Sequence, residues 1–568
     1  MRVRRLRHRS GPRPLGVLGL WFGVAASALA QTTLPPTDPP RPAFVPALPD
    51  GAFRLPPVSL PPAAAGAPDA AAQTLLLRRV ELTGNTAVPT SDLQALAAPF
   101  LGQTVGPADL EALRLQMTRL YVERGYVNSG LVLGRVAIDE GVVGYEVVEG
   151  RLTEIRLRGM GRLDEAYVTR QLQPPGDGPL NLDRLRERFQ LLLGDPLFER
   201  LNARLQPGAR RGDAVLDVEV ARARPWQLTA FVNNHRPVSV GATAIGLSGS
   251  VRNLTGRGDL LEASLQGPTE GSGDLRGNLA WRLPLGHAGT HLSLAIDEGS
   301  SSVVEESVRA LDITSRLASR EIGLGQTLIE TLGHRVAIGV QAVQRENRTW
   351  LLGSPFSFTP GEPDGQVRER LWRFWQEASW RSETEVLALR STFSWGRNNL
   401  QAVAGLPPID IPPSHYRLWL GQAQYARQLA TNGAQFVARA AVQLSPDRLL
   451  ALDGIALGGV QTVRGYRENQ LVRDEGVLLN LELEWPLWRD DERALRVLAV
   501  PFVDIGHGRN RGETGTTLAS AGVALRCSWQ GWSLDLAVAG RIDPPDEATR
   551  LRGNLQDHGV HVQLSYRF

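Results

Sequence analysis

From Trp226 to the C-terminus, apolar and polar residues alternate with a period of two, segment after segment. Successive side chains of a β-strand point to opposite faces, so the pattern calls for strands with one apolar and one polar face. Val477, Leu479, Leu481, Leu483 and Trp485 alternate with Leu478, Asn480, Glu482 and Glu484. Trp532, Leu534, Leu536 and Val538 do the same, as do Val560, Val562, Leu564, Tyr566 and Phe568 around His561, Gln563, Ser565 and Arg567. Aromatic residues gather near strand ends, and 12 of the 13 Trp lie between Trp226 and Trp532. A membrane β-barrel shows this pattern, and so does a soluble β-sandwich.

Connection lengths separate the two. Sixteen strands can be placed, the first near Trp226 and the last near His558. Gaps after odd-numbered strands tend to be long: around Arg348 to Gln366, Arg397 to Ser414, Ser445 to Glu475 and Asp543 to Asp557. Gaps after even-numbered strands are mostly tight, as at Leu332-Gly333 or Arg381 to Glu383. Long loops on one side and short turns on the other belong to an outer-membrane barrel, and a sandwich has no reason to obey that parity. An even strand count also lets the first and last strands close antiparallel.

Upstream the chain changes character. Residues 1–30 carry six arginines and no acid, an apolar run from Leu15 to Val24 and Ala28-Leu29-Ala30, which together read as a secretory signal peptide. Residues 31–74 are dominated by Pro and Ala and read as an extended tether. Residues 75–151 predict strand, two helices, two strands. Thr90 stands as N-cap of a short helix, and Leu110, Leu113, Met117, Leu120 and Tyr121 share one face of a second. Residues 152–224 repeat this order, with a strand at Glu154 to Leu157, a helix through Leu182, Leu185, Phe189 and Leu192, and strands on either side of Pro207-Gly208. Each unit is small enough to need its neighbour or a partner.

The longest gap, about residues 446–475 of the barrel segment 225–568, carries Gly458-Gly459 and then Val463-Arg464-Gly465-Tyr466. Long loops carry function more often than short ones. If Val503 and Ile505 face lipid, then Arg496, Phe502 and Asp504 face the lumen, and Glu482 and Glu484 face it from the neighbouring strand. A bare carboxylate in a confined lumen is costly. Arg464 can supply a bidentate partner to Asp504 by folding inward. The alternative is a solvated arginine and an aspartate lining a wet channel.

Composition excludes other classes. The 62 basic residues are all Arg; without the six of the leader, 56 face 59 acids, a net charge of −3 that gives nucleic acid no electrostatic footprint. The lone Cys527 permits no intrachain disulfide and no Cys-based metal site. Catalytic motifs, nucleotide loops and metal-ligand spacings are missing, so neither enzyme chemistry nor a cofactor is expected.

On these residues the chain resembles a two-partner secretion transporter, the TpsB family that includes the filamentous haemagglutinin and ShlB-type haemolysin transporters. The resemblance spans about residues 75–568 and rests on two polypeptide-transport-associated (POTRA) units, Val463-Arg464-Gly465-Tyr466, Phe502-Val503-Asp504 and the Pro207-Gly208 turn. It implies two tandem α+β POTRA domains followed by a 16-stranded antiparallel transmembrane barrel in the outer membrane of a Gram-negative bacterium. The arginine of the sixth extracellular loop would bond the strand aspartate inside the pore. The POTRA domains would lie in the periplasm and capture a large, unfolded, TpsA-like exoprotein, which crosses without ATP. Outer-membrane lipid and the barrel-assembly machinery, for the barrel's own insertion, are the further partners. Some members carry an N-terminal plug helix; residues 31–74 are too rich in proline for one. An assembly factor of the same superfamily shares the loop motif, but two POTRA units rather than five favour secretion. A porin would have neither the units nor the loop arginine.

Overall fold

The computed structural model describes residues 53–54, 74–173, 178–269, 274–286, 289–306, 308–403, 411–545 and 553–568. Residues 1–30, read above as a signal peptide, almost all of residues 31–74 and the question of a plug lie outside the described residues. The chain divides into two compact units, the tandem repeats and the barrel.

β1 (Phe53–Arg54) belongs to the tether, and β2 (Leu75–Leu76) pairs with β4 (Thr104–Val105). The first repeat is built from β3 (Arg79–Thr83), α1 (Thr90–Ala97), α2 (Pro107–Glu123), β5 (Gly130–Ala137) and β6 (Val142–Val148), with sheet order β3-β6-β5. Pro107 opens α2 at a position where its missing N–H is no loss, and the Gly106 N–H donates to Asp109 Oδ2 at 2.8 Å. Leu110, Leu113, Met117 and Tyr121 then recur on one face and are buried against the sheet. The Tyr121 hydroxyl donates to Glu149 at 3.0 Å, and Glu149 also accepts from the Thr86 and Ala87 N–H groups at 2.6 and 2.7 Å. Burial alone would raise the Glu149 carboxyl; those hydrogen bonds outweigh it and hold its pKa below the usual carboxylate range. Thr90 is not the N-cap of α1. The extended Pro89 takes that place, and the Thr90 hydroxyl instead accepts from Asn85 Nδ2 at 2.9 Å.

The second repeat comprises β7 (Arg151–Arg158), α3 (Glu165–Leu172), α4 (Leu182–Leu193), β8 (Phe198–Pro207) and β9 (Asp213–Arg222). The sequence reading missed α3, although Asp164 caps it by accepting from the Ala166 N–H at 3.0 Å. Asn181 caps α4 in the same way, and Leu182, Leu185, Phe189 and Leu192 enter the core. The repeats are stitched together by Leu182 N–H to Gly125 O at 2.8 Å, Asn181 Nδ2 to Arg124 O at 2.9 Å and Asn128 Nδ2 to Gly212 O at 2.8 Å. β1 pairs parallel with β8 at Ala203 and Arg204, so one edge of the second sheet is filled by the chain's own tether. Among the described residues β3, β5 and β7 remain as outer strands without a further neighbour.

The barrel strands are β10 (Trp226–Asn233), β11 (Ala244–Arg252), β12 (Leu260–Pro268), β13 (Arg276–Pro284), β14 (Thr290–Ser302), β15 (Thr314–Glu330) and β16 (His334–Leu351). After the short β17 (Ser354–Pro355) come β18 (Gln366–Arg381), β19 (Glu385–Asn398), β20 (His415–Gln428) and β21 (Gln435–Leu444). The last five are β24 (Glu475–Asp490), β25 (Leu495–Arg509), β26 (Thr516–Trp529), β27 (Trp532–Ile542) and β28 (Val560–Arg567). The small hairpin β22 (Ile455–Leu457) and β23 (Leu471–Arg473) stands outside the wall, in the loop between β21 and β24. Setting β17 and that hairpin aside, 16 strands close into one antiparallel barrel, with β10 paired to β28 from Thr229↔Arg567 to Asn233↔Gln563. Closure leaves no strand edge to be satisfied in lipid. Val503 and Ile505 are 40 % and 44 % exposed on the outer wall, while Phe502 and Asp504 between them are 4 % and 0 % exposed. At the turn end, Trp532 stands 4.8 Å from Tyr566 and Tyr566 stands 4.9 Å from Phe568, as in an interfacial aromatic girdle. No helix among the described residues is long and apolar enough to cross a membrane.

Candidate functional site

The loop between β21 and β24 leaves the wall at Ser445, forms the β22–β23 hairpin and turns back at a tip that runs from Gly458 to Gln470. Gly458 has φ +103°, and a Cβ there would stand 2.5 Å from Arg467 O; Gly465 has φ +91°, and its Cβ would stand 3.0 Å from Ala539 of β27. The glycines therefore allow both the reversal and the close approach of the tip to the inner wall.

Arg464 is 2 % exposed and held on every side. Its Nε and Nη2 donate to Asp504 Oδ2 and Oδ1, each at 2.7 Å, in the bidentate geometry that suits a guanidinium and a carboxylate. Its own backbone N–H adds a third bond to Asp504 Oδ2 at 3.0 Å, and its Nη1 donates to Glu482 Oε1 at 2.7 Å. The guanidinium carbon lies 3.5 Å from the centroid of the Phe502 ring, a cation–π contact. Asn480 on β24 donates to Asp504 Oδ1 at 2.8 Å and also to the Thr462 carbonyl.

The charges extend beyond that pair. Glu482 also receives Arg439 of β21 at 2.9 Å and Arg526 of β26 at 3.0 Å, and Arg526 reaches Glu484 at 2.7 Å. Arg439, Arg464 and Arg526 thus face Glu482, Glu484 and Asp504, three charges against three, with Asp535 at the margin 3.3 Å from Arg526. Buried ions are tolerated only when partnered in this way. Arg496 lines the lumen alongside Arg526, Ser528 and Asp535 but belongs to none of these bonds.

The remaining motif residues fix the backbone. Val463 is buried against Leu457, Leu478 and Leu518. The Gly465 N–H donates to His561 Nε2 at 3.1 Å, which requires that nitrogen to carry no proton, and the Gly465 carbonyl accepts from Arg541 at 2.6 Å. The Tyr466 hydroxyl donates to the Ala519 carbonyl at 3.1 Å, and Arg541 lies 5.3 Å from its ring centroid. Next along, Arg467 forms a bidentate pair with Asp557 at 2.6 and 3.0 Å.

The sequence reading placed Asn480 and His561 on polar strand faces without a role in this site, and it left out Arg439, Arg526, Arg541 and Asp557. Arg439, Arg526 and Arg541 lie on wall strands, where alternation could have nominated them. Asp557, in the connection before β28, gave no such signal.

The family described as haemolysin secretion/activation protein ShlB/FhaC/HecB matches residues 212–527, and the ShlB-type POTRA domain matches residues 75–150. The outer membrane transporter CdiB of Escherichia coli O6:K15:H31 is 24% identical over 448 residues, 72% of this chain and 69% of that protein. The heme/hemopexin transporter HuxB of Haemophilus influenzae is 22% identical over 496 residues, 82% of this chain and 84% of that one. The hemolysin transporter ShlB of Serratia marcescens is 31% identical over 187 residues, 32% of this chain and 31% of that one. Among solved structures, CdiB from Escherichia coli superimposes with a TM-score of 0.68 at 21% identity, covering 90% of this chain and 94% of that one. CdiB from Acinetobacter baumannii gives 0.61 at 15% identity, over 87% and 90%.

Proposed function

Because this chain belongs to the haemolysin secretion/activation family of ShlB, FhaC and HecB, we propose that its POTRA repeats capture an unfolded exoprotein and that the loop bearing Arg464 governs its passage through the barrel. Members of the family are outer-membrane transporters of two-partner secretion, with POTRA domains on the periplasmic side, and they serve TpsA-type exoproteins. This family reading displaces the barrel-assembly factor as an account of the chain.

An unfolded chain offers backbone donors and acceptors that an unpaired strand edge can accept by β-augmentation. The outer edges of β3 and β5 in the first repeat are the available ones with the first repeat's own core behind them. Passage needs a polar route, which the lumen-facing charges supply, and folding outside the cell biases transport without ATP. Outer-membrane lipid contacts the apolar wall, and the barrel-assembly machinery inserts the barrel.

The observation that carries the proposal is the buried Arg464–Asp504 pair, which holds a long loop inside the pore it would have to clear. The test is secretion of a co-expressed candidate exoprotein, with wild type against Arg464→Ala. Normal barrel levels with export lost supports the reading. Undiminished export by the variant reduces Arg464 to an ordinary loop residue.

A further inference from the structure

We propose that the same loop is held by a second, independent latch at its stem, with Asp453 as the positioning residue and Arg345, Glu369 and Tyr416 as its receptor on the wall. Asp453 lies just before β22. Its Oδ1 accepts from Arg345 Nη1 at 2.9 Å, and its Oδ2 stands 2.5 Å from the Tyr416 hydroxyl, which is also 3.1 Å from Glu369 Oε1. Arg345 reaches Glu369 at 3.8 Å and the Leu452 carbonyl at 3.5 Å. The side chains of Arg345, Glu369 and Asp453 are 6 %, 0 % and 3 % exposed. Gln443, the residue before the last of β21, donates to the Asp453 and Asp474 carbonyls at 2.9 and 3.2 Å, so it ties together the two limbs of the loop.

The receptor strands are what separate this cluster from the tip. Arg345 is on β16, Glu369 on β18 and Tyr416 on β20, whereas the tip is held mainly from β24 to β28, with Arg467 also 3.6 Å from Glu305 in the connection after β14. The loop is therefore fastened to two separate arcs of the barrel. Releasing the tip, Arg464 from Asp504 and Glu482, Gly465 from His561 and Arg467 from Asp557, leaves the stem bonds intact, so the tip swings about Asp453 while the stem stays against the wall. A buried ion cluster contributes less to stability than apolar packing of the same volume. Its gain here is a directional anchor for a stem that must stay put while the tip moves.

The proposal rests on the reading of this loop as the element that clears the pore, and its test reads loop position rather than export. In a Cys527→Ser background, Leu450→Cys reports the stem and Val460→Cys the tip, each labelled on intact cells with a membrane-impermeant maleimide. Asp453→Asn and Arg345→Gln should each speed labelling at Leu450→Cys by at least about tenfold, through local opening of the stem. Arg464→Ala should speed labelling at Val460→Cys and leave Leu450→Cys within about twofold, since the two latches open separately. Unchanged stem labelling in Asp453→Asn and Arg345→Gln overturns the latch, and so does an equal rise at both positions in Arg464→Ala. Only barrels with wild-type heat-modifiable migration are read. Asp453→Asn keeps the side-chain shape and leaves Arg345 beside Glu369, so it carries the test if Arg345→Gln does not fold. Failure of the proposed role of this loop in passage would show separately, as wild-type export by Arg464→Ala.

Discussion

In the first POTRA repeat the side chains sealed from water are Leu113, Met117 and Tyr121; in the barrel they include Arg464, Asp504 and Glu482. The repeats fold in water, so apolar burial drives their cores. The barrel folds in lipid, where an apolar outer face is already satisfied and polar groups are sent inward. A buried arginine would be a defect in the first setting. In the second it is a fastening, held by Asp504, Glu482 and the Phe502 ring.

The largest effect should come from breaking that fastening. Arg464→Ala leaves Asp504 buried without its cation, a loss of about 3–5 kcal/mol locally. Export should fall while the barrel persists, and Arg464→Ala/Asp504→Ala should export no worse than either single variant, because the two residues act as one unit. Additive losses in the secretion assay would show that they do not. Next comes the apolar core of the first repeat, where Leu113→Ala should destabilise that repeat by about 2–5 kcal/mol, seen as a lower denaturation midpoint by tryptophan-independent circular dichroism. The outer wall should respond to charge instead: Val503→Arg places a cation against lipid at about 2–4 kcal/mol, read by urea denaturation of the folded barrel in vesicles. A stability unchanged by that substitution would mean that Val503 does not face the bilayer.

The smallest effect is a pH dependence. The folded-state pKa of Glu149 is depressed, so its stabilising contribution is present above the ordinary carboxylate pKa, near about 4, and is lost as pH falls through the lower folded value. Acid should loosen the first repeat in that window, and Glu149→Gln should flatten this part of the pH–stability profile. An unaltered profile would remove Glu149 from the account.

Much of the barrel was legible because strand alternation is local. Each residue's side follows from its neighbours, so Val503 and Phe502 could be placed on opposite faces before any strand was paired. The α+β repeats were read less evenly. The amphipathic stripe of α2 stood out, while α3 was passed over, its two turns being too short for a periodic signal. Thr90 shows the limit at a helix start: the N-cap falls one residue earlier, at Pro89, and the Thr90 hydroxyl accepts from Asn85 instead of capping.

What the sequence by itself determined was the inventory of faces and connections: an apolar exterior, lumen-facing carboxylates, two α+β repeats and one long loop with an arginine among glycines. Only the tertiary structure decided which of those groups meet. Arg345 and Asp453 are 108 residues apart, and Gly465 bonds His561 across 96 residues, from the inward loop to the last wall strand. Alternation repeats every two residues and carries no information about register between distant strands. Strand stagger and the inward path of the loop set the pairings, and both are properties of the closed barrel as a whole.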